Sequence, residues 1–171
     1  MKALETYIRT VQDFPKKGIG FKDITTLIKD GDAFRKSIEA LCEPFRNQQI
    51  ELVAGIEARG FIFGAAVALE LGAGFVPIRK PGKLPAETIR ETYSLEYGTD
   101  AVEIHRDAIQ SDMRVLLVDD LLATGGTAAA AIRLVQQLDG DLIGAAFLIE
   151  LSFLRGREKL GSVPIHVVID L

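Results

Sequence analysis

Two adjacent carboxylates, Asp119 and Asp120, close the apolar run Val115–Val118 and are followed, after Leu121-Leu122, by Ala123-Thr124-Gly125-Gly126-Thr127. A continuous apolar run of this kind is expected of a strand buried on both faces, so the acids arrive at a strand's carboxyl end, where open α/β sheets bind ligands. The small residues that follow let the backbone approach an anion closely. A helix beginning there supplies free N–H groups and a favourable dipole, and Thr124 and Thr127 add hydroxyl donors. The combination reads as a phosphate cradle beside a carboxylate pair. A glycine-rich turn next to two solvated acids is the blander reading, and either half alone would not exclude it. Other phosphate motifs fit worse. Gly82-Lys83 lacks the upstream glycine and the following Ser or Thr of a P-loop, and no G-x-G-x-x-G follows a strand.

The elements that must position these residues follow from hydrophobic patterning. Leu52–Ile56, Gly74–Ile78, Val115–Val118 and Leu142–Ile149 are apolar runs with the character of buried strands, and helical stretches follow at Phe61–Leu71 and Thr127–Leu138. The alternation predicts a parallel α/β sheet with right-handed crossovers and helices on both faces. Upstream, Leu4, Tyr7, Ile8 and Val11 recur at helical spacing, and Asp13–Asp23 (DFPKKGIGFKD) reads as a loop. A further helix is expected with Asp32 as its N-cap and Phe34, Ile38, Leu41, Cys42 and Phe45 as its buried stripe, ending near Pro44. Between the second and third strands, Lys80–Gln110 forms a polar excursion with a hairpin joined at Gly98-Thr99-Asp100. An excursion of this length in a small domain is usually functional, often a lid.

Charge narrows the partners. The 171 residues carry 20 Lys+Arg and 24 Asp+Glu, a net charge of -4, which argues against broad nucleic-acid or membrane-surface binding but not against an anionic small molecule in a local pocket. Such a pocket is suggested between Arg79 and Arg90, where Arg79, Lys80, Lys83 and Arg90 face only Glu87, a local balance of +3 (four minus one). An exposed basic loop kept for solubility is the competing explanation. The single cysteine, Cys42, excludes an internal disulfide and reads as a buried apolar residue. His105 and His166 have no metal-ligand spacing and read as structural. Without a signal-peptide core or an unbroken apolar span, the expected setting is the cytoplasm.

The segment Val115–Thr127 (VLLVDDLLATGGT) resembles the phosphoribosyl-pyrophosphate (PRPP) motif of the type I phosphoribosyltransferases. Residues 13–25 (DFPKKGIGFKDIT), 56–64 (IEARGFIFG), 78–85 (IRKPGKLP), 93–98 (YSLEYG) and 148–160 (LIELSFLRGREKL) are similar, in order and spacing, to the adenine-using branch of that family. The resemblance spans nearly the whole chain. It implies one phosphoribosyltransferase domain over residues 1–171, with a small base-binding hood at 1–30 and a flexible loop and hairpin at 80–106.

The resemblance also implies a role for each residue. Ala123, Thr124, Gly125, Gly126 and Thr127 would hold the 5-phosphate. Asp119 and Asp120 would accept from the ribose hydroxyls and favour the positive charge developing at the anomeric carbon. Arg59, Arg79, Lys80 and Lys83 would face the leaving pyrophosphate, with Glu57–Gly60 turning backbone N–H groups inward. Glu96 would exchange a proton with the purine near N7, and Tyr97 would help to cover the site. Phe21 would stack on adenine while backbone groups of Gly20 and Lys22 read its edge. The family more often has a larger aliphatic residue in place of Gly20 and Arg in place of Lys22, which implies a looser wall around the base. Magnesium would come with PRPP, with no direct protein ligand, and the family is typically a homodimer. The implied reaction is adenine plus PRPP giving AMP and pyrophosphate. Two alternatives remain open: transfer to a 6-oxopurine such as hypoxanthine, guanine or xanthine, or a PRPP-sensing regulator without catalysis.

Overall fold

The N-terminal segment doubles back on itself before the main sheet begins. In the computed structural model, which describes residues 3–94 and 98–171, a 3₁₀ turn at Leu4–Tyr7 leads into strand β1 (Arg9–Val11). This strand pairs antiparallel with β2 (Phe21–Asp23). The expected opening helix is therefore a single tight turn followed by a strand. The β-branched Ile8, Thr10 and Val11 favour extended backbone, and the partner strand across the loop supplies the pairing. Arg9 and Asp23 form an ion pair across the ribbon.

A short helix, α1 (Thr25–Ile28), precedes α2 (Gly31–Cys42). The N-cap of α2 is Asp30 rather than Asp32. Asp30 has extended backbone and accepts from the Ala33 N–H at 2.9 Å, whereas Asp32 lies in the first turn and pairs with Arg35. Ile38, Leu41 and Cys42 are buried as expected, while Phe34 is half-buried, edge-on to Phe63. Pro44 falls in the 3₁₀ turn that ends the helix. Burial pushes the Cys42 thiol up to about 11, so it behaves as packing rather than as a nucleophile.

The main sheet follows: β3 (Leu52–Ile56), α3 (Gly60–Leu71), β4 (Gly74–Ile78), the antiparallel pair β5 (Thr88–Ser94) and β6 (Thr99–His105), β7 (Arg114–Leu122), α4 (Gly126–Gln137), β8 (Asp141–Glu150) and β9 (Ile165–Asp170). The five parallel strands run in the order β4-β3-β7-β8-β9. β3 and β4 match the expected residues, β7 and β8 run longer than their apolar cores, and β9, which carries His166, is additional to those four runs. In the hairpin, Thr99 and Asp100 belong to β6, paired with Ser94 and Tyr93.

Consecutive residues of the central strands enter different cores. Val115, Leu117, Ala145 and Phe147 pack with α4, while Leu116, Val118, Ala146 and Leu148 pack with α2 and α3. Covering both faces is what makes these strands read as unbroken apolar runs. The chain leaves β3 through α3 toward β4 and leaves β7 through α4 toward β8, so the crossovers diverge onto opposite faces. The boundary between β3 and β7 is therefore the topological switch point, where a ligand crevice opens.

Candidate active site

Strand pairing places the two acids in that crevice. β3 pairs with β7 only as far as Gly55 opposite Val118, whereas β8 continues beside β7 to Glu150 opposite Leu122. Beyond Val118, β7 thus keeps one neighbour and loses the other, and Asp119 and Asp120 are the first residues past that point. The Asp120 N–H donates to Oδ1 of Asp119 at 2.9 Å. Burial, with the neighbouring Asp120 charge, raises Asp119 well above the ordinary carboxylate range. Burial raises Asp120 as well, opposed by the Arg59 guanidinium 2.7 Å from its Oδ2. That contact is close but poorly directed, and Oδ2 is the one buried side-chain polar atom without a hydrogen bond among the described residues.

Past the acids the chain turns through Ala123–Gly125 into α4. Gly125 has φ +77° and occupies the N-cap position, where no side chain caps the helix. The first amide groups of an α-helix have no intrahelical acceptor, so they are available to an anion. A cavity of about 90 Å³ lies over them, lined by Asp119, Leu121, Thr124, Gly125, Gly126 and Thr127 among others. The cradle is braced from behind: a methyl group at Gly125 would fall 2.2 Å from the Gly156 carbonyl oxygen, and one at Gly156 would fall 2.1 Å from that of Ala123. Gly156 lies within the matched segment 148–160, yet nothing local in the sequence marks it as the floor of the cradle.

Arg59 ties the acids to the N-terminal ribbon. Besides meeting Asp120, it donates to the Lys22 carbonyl at 3.2 Å and lies 5.0 Å from the centroid of the Phe21 ring. Phe21 also stands edge-on to Phe14. Gly20 has room beside it, with Thr10 and Gln12 at ordinary contact distance from an added methyl. Lys22 sends its ammonium to the Thr10 hydroxyl at 3.2 Å. The Glu57–Ala58 peptide that precedes Arg59 is cis.

The basic segment is less free than its sequence suggests. Arg79 pairs with Glu57 at 3.1 Å and donates to the Lys83 carbonyl. Lys80 bonds to Asp100 and Tyr93, and Arg90 meets the buried Glu103 at 2.6 Å. Three acids distant in sequence therefore offset the local +3. Lys83 is exposed, and its side chain forms no ion pair among the described residues. Glu103 also accepts from the Gly82 N–H at 3.0 Å, and its backbone pairs with Arg79, fastening the basic turn to the hairpin. Glu96 and Tyr97 lie outside the described residues. His166 bonds to the Ala40 carbonyl at 2.9 Å and His105 lies beside the Ala86 N–H, both away from the crevice.

A carboxylate pair and a helix-start cradle at the switch point of a parallel sheet define a type I phosphoribosyltransferase, and a family model described as "Phosphoribosyl transferase domain" matches residues 25–163. An adenine phosphoribosyltransferase of Clostridium perfringens (strain SM101) is 56% identical over 168 residues, covering 98% of each chain. The crystal structure of the adenine phosphoribosyltransferase from Rhodothermus marinus superimposes with a TM-score of 0.95 at 56% identity, over 98% of this chain and 96% of that one. That of Saccharomyces cerevisiae, complexed with an imino-altritol 1,6-bisphosphate and adenine, gives 0.91 at 44% identity over 96% of each. The chain belongs to the adenine phosphoribosyltransferase family.

Proposed function

We propose that the crevice between β3 and β7 transfers the 5-phosphoribosyl group of PRPP to adenine, giving AMP and pyrophosphate. The observation that carries this reading is the contiguity of acids and cradle, since Asp119 itself lines the cavity at the start of α4. Family membership agrees with it. In the reaction the anomeric carbon–oxygen bond breaks, the electron pair leaves with pyrophosphate, and N9 of adenine bonds to the same carbon as its proton is released.

The cradle amides and the Thr124 and Thr127 hydroxyls hold the 5-phosphate. Asp119 and Asp120 accept from the ribose hydroxyls and stabilise the cationic transition state, a carboxylate effect that a poorly solvated site strengthens. Arg79, Lys80 and Lys83 receive the pyrophosphate. Arg59 serves there too in the family pattern, and its contacts with Asp120 and Phe21 also join the ribose side to the base side. Phe21 stacks on adenine while Gly20 and Lys22 read its edge through the backbone. Glu96 serves as the acid/base at N7 and Tyr97 covers the site, roles that rest on the family resemblance alone.

Magnesium fits the donor set as an ion carried in by the substrate. The crevice holds an adjacent acid pair, and magnesium commonly binds through substrate phosphates and waters with one or two carboxylates nearby. When bound, it neutralises charge on the leaving pyrophosphate. A homodimer is supported by α3, whose outer residues Ile62 and Leu69 remain exposed although only Glu70 in that helix is charged. A helix apolar on all sides calls for a partner. We place the reaction in the cytoplasm, in keeping with the composition; no helix among the described residues is long and apolar enough to cross a membrane.

The test is magnesium-dependent pyrophosphate release with adenine, hypoxanthine, guanine and xanthine. Turnover selective for adenine is expected. Selective use of hypoxanthine would move the chain to the 6-oxopurine enzymes, and tight PRPP binding without pyrophosphate release would make it a regulator.

A further inference from the structure

We infer that Asp100 sets the affinity for PRPP by holding Lys80 in the manner of a built-in substitute for pyrophosphate. The inference rests on the reading above that Lys80 receives the leaving group. Lys80 donates from Nζ to the Tyr93 hydroxyl at 2.8 Å and to Oδ2 of Asp100. The Tyr93 hydroxyl donates to the same oxygen at 3.0 Å, and Oδ1 of Asp100 accepts from the Ala101 N–H at 2.8 Å. Two of the three ammonium donors of Lys80 are therefore engaged within the chain. The root of the lysine is fixed separately, because its backbone N–H donates to Glu57 at 2.8 Å. Only its head has to move to meet a substrate.

The triad lies beside the phosphate cradle. Tyr93 is buried, and a methyl group at Gly126, the first residue of α4, would stand 3.1 Å from its ring. One side chain thus touches the start of the cradle with its ring and the pyrophosphate lysine with its hydroxyl. A pyrophosphate arriving here makes the same demand on Lys80 that Asp100 already meets. The two anions compete, and each disfavours the other by like-charge repulsion. The mutual bond raises Lys80 and lowers Asp100 from their ordinary values, so both carry full charge at neutral pH. Their side chains are 38% and 34% exposed, and half-exposed pairs of this kind are weak enough for a multiply charged ligand to displace. The same exchange in reverse helps product pyrophosphate to leave.

The sign of the effect separates this role from a supporting one. If Asp100 merely oriented Lys80 toward substrate, removing its charge would weaken PRPP binding; as a competitor, its removal strengthens it. Asp100→Asn keeps the shape and an acceptor for the Ala101 N–H. In steady-state kinetics of the full chain, this variant is expected to lower the KM for PRPP and the inhibition constant of pyrophosphate about threefold, leaving the KM for adenine unchanged. In a Lys80→Gln background the same substitution is expected to change neither. A raised or unaltered KM for PRPP, or a gain that survives in the Lys80→Gln background, overturns the inference. Should Asp100→Asn not fold, Asp100→Ser also removes the charge and is expected to shift the KM for PRPP in the same direction; no shift or a rise would again overturn it. A wild-type chain that releases no pyrophosphate from PRPP and adenine defeats the functional reading itself, whereas an active wild type with an indifferent Asp100→Asn defeats only the competition.

Discussion

No side chain fits between Gly60 and Asp119: a methyl group on Gly60 would lie 2.5 Å from Oδ1 of the aspartate and 3.3 Å from its Cα. The start of α3 is thus pressed against the acid that lines the cavity at the start of α4. Gly60→Ala must push either the helix or the carboxylate away. Because displacement of a catalytic group by about 1 Å can reduce rates ~100-fold, kcat is expected to fall by one to two orders of magnitude. Steady-state assays beside a thermal melt check this; an alanine variant with normal kcat would show that the acid tolerates the shift.

The second close approach, between Gly125 and Gly156, supports the cradle rather than the acids. In Gly156→Ala the new methyl meets the Ala123 carbonyl oxygen, a backbone atom with no rotamer to escape into. Overpacking of this kind destabilises by about 1–3 kcal/mol, which in a chain of this size lowers Tm by roughly 3–9 °C. The KM for PRPP is expected to rise while the KM for adenine holds, since what deforms is the cradle that the proposed reaction assigns to the 5-phosphate. Calorimetry and paired KM measurements test it, and an adenine effect as large as the PRPP effect would contradict the placement.

Both glycines illustrate which parts of the site a sequence discloses. The cradle is chain-local: acids, threonines and glycines follow one another within Asp119–Thr127, so their types and order were sufficient. The buried strand β3 and the half-buried edge strand β4 were legible to the residue, whereas β7 and β8 run on past the apolar cores that marked them. Gly60 and Gly156 are different, since each acquires its role from an element that packing alone brings near. The same holds for the basic turn. Its +3 balance along the chain was real, but Glu57, Asp100 and Glu103 are drawn in from outside Arg79–Arg90 and pair with three of its four cations. The opening helix failed for another reason: the spacing of Leu4, Tyr7, Ile8 and Val11 suits a helix, but the partner that makes Arg9–Val11 a strand lies across a loop.

Asp119 and Asp23 respond to pH with opposite signs. Burial raises Asp119, so the folded chain keeps this proton at a pH where the unfolded chain has released it, and stability falls as pH rises through that interval. Asp23 is held down to about 2, by Arg9 foremost, so its contribution is complete above the ordinary carboxylate value and is lost as pH falls toward 2. Asp119→Asn removes only the first effect. Its stability relative to wild type is expected to increase as pH rises above the ordinary carboxylate value, read from denaturant midpoints, while turnover drops by about 100-fold or more. A stability difference independent of pH would show that this carboxyl titrates alike in both states.

Arg59 and Lys83 should separate the two substrates. Arg59 reaches Asp120, the Lys22 carbonyl and the Phe21 ring together, which a planar guanidinium can do and a point-charged ammonium cannot. Arg59→Lys keeps the charge near Asp120 but loosens the hood, so the KM values for adenine and PRPP are both expected to rise about tenfold, as for loss of a charged hydrogen bond. Lys83 is exposed and without an ion pair among the described residues, and the proposed reaction assigns it to the incoming pyrophosphate. Lys83→Ala is expected to raise the KM for PRPP about tenfold and leave that for adenine unchanged. Both follow from initial-rate measurements with each substrate varied in turn. If Arg59→Lys disturbs PRPP alone, the arginine acts with the pyrophosphate cations, as the family pattern implies, and its contact with Phe21 does not help to hold the base.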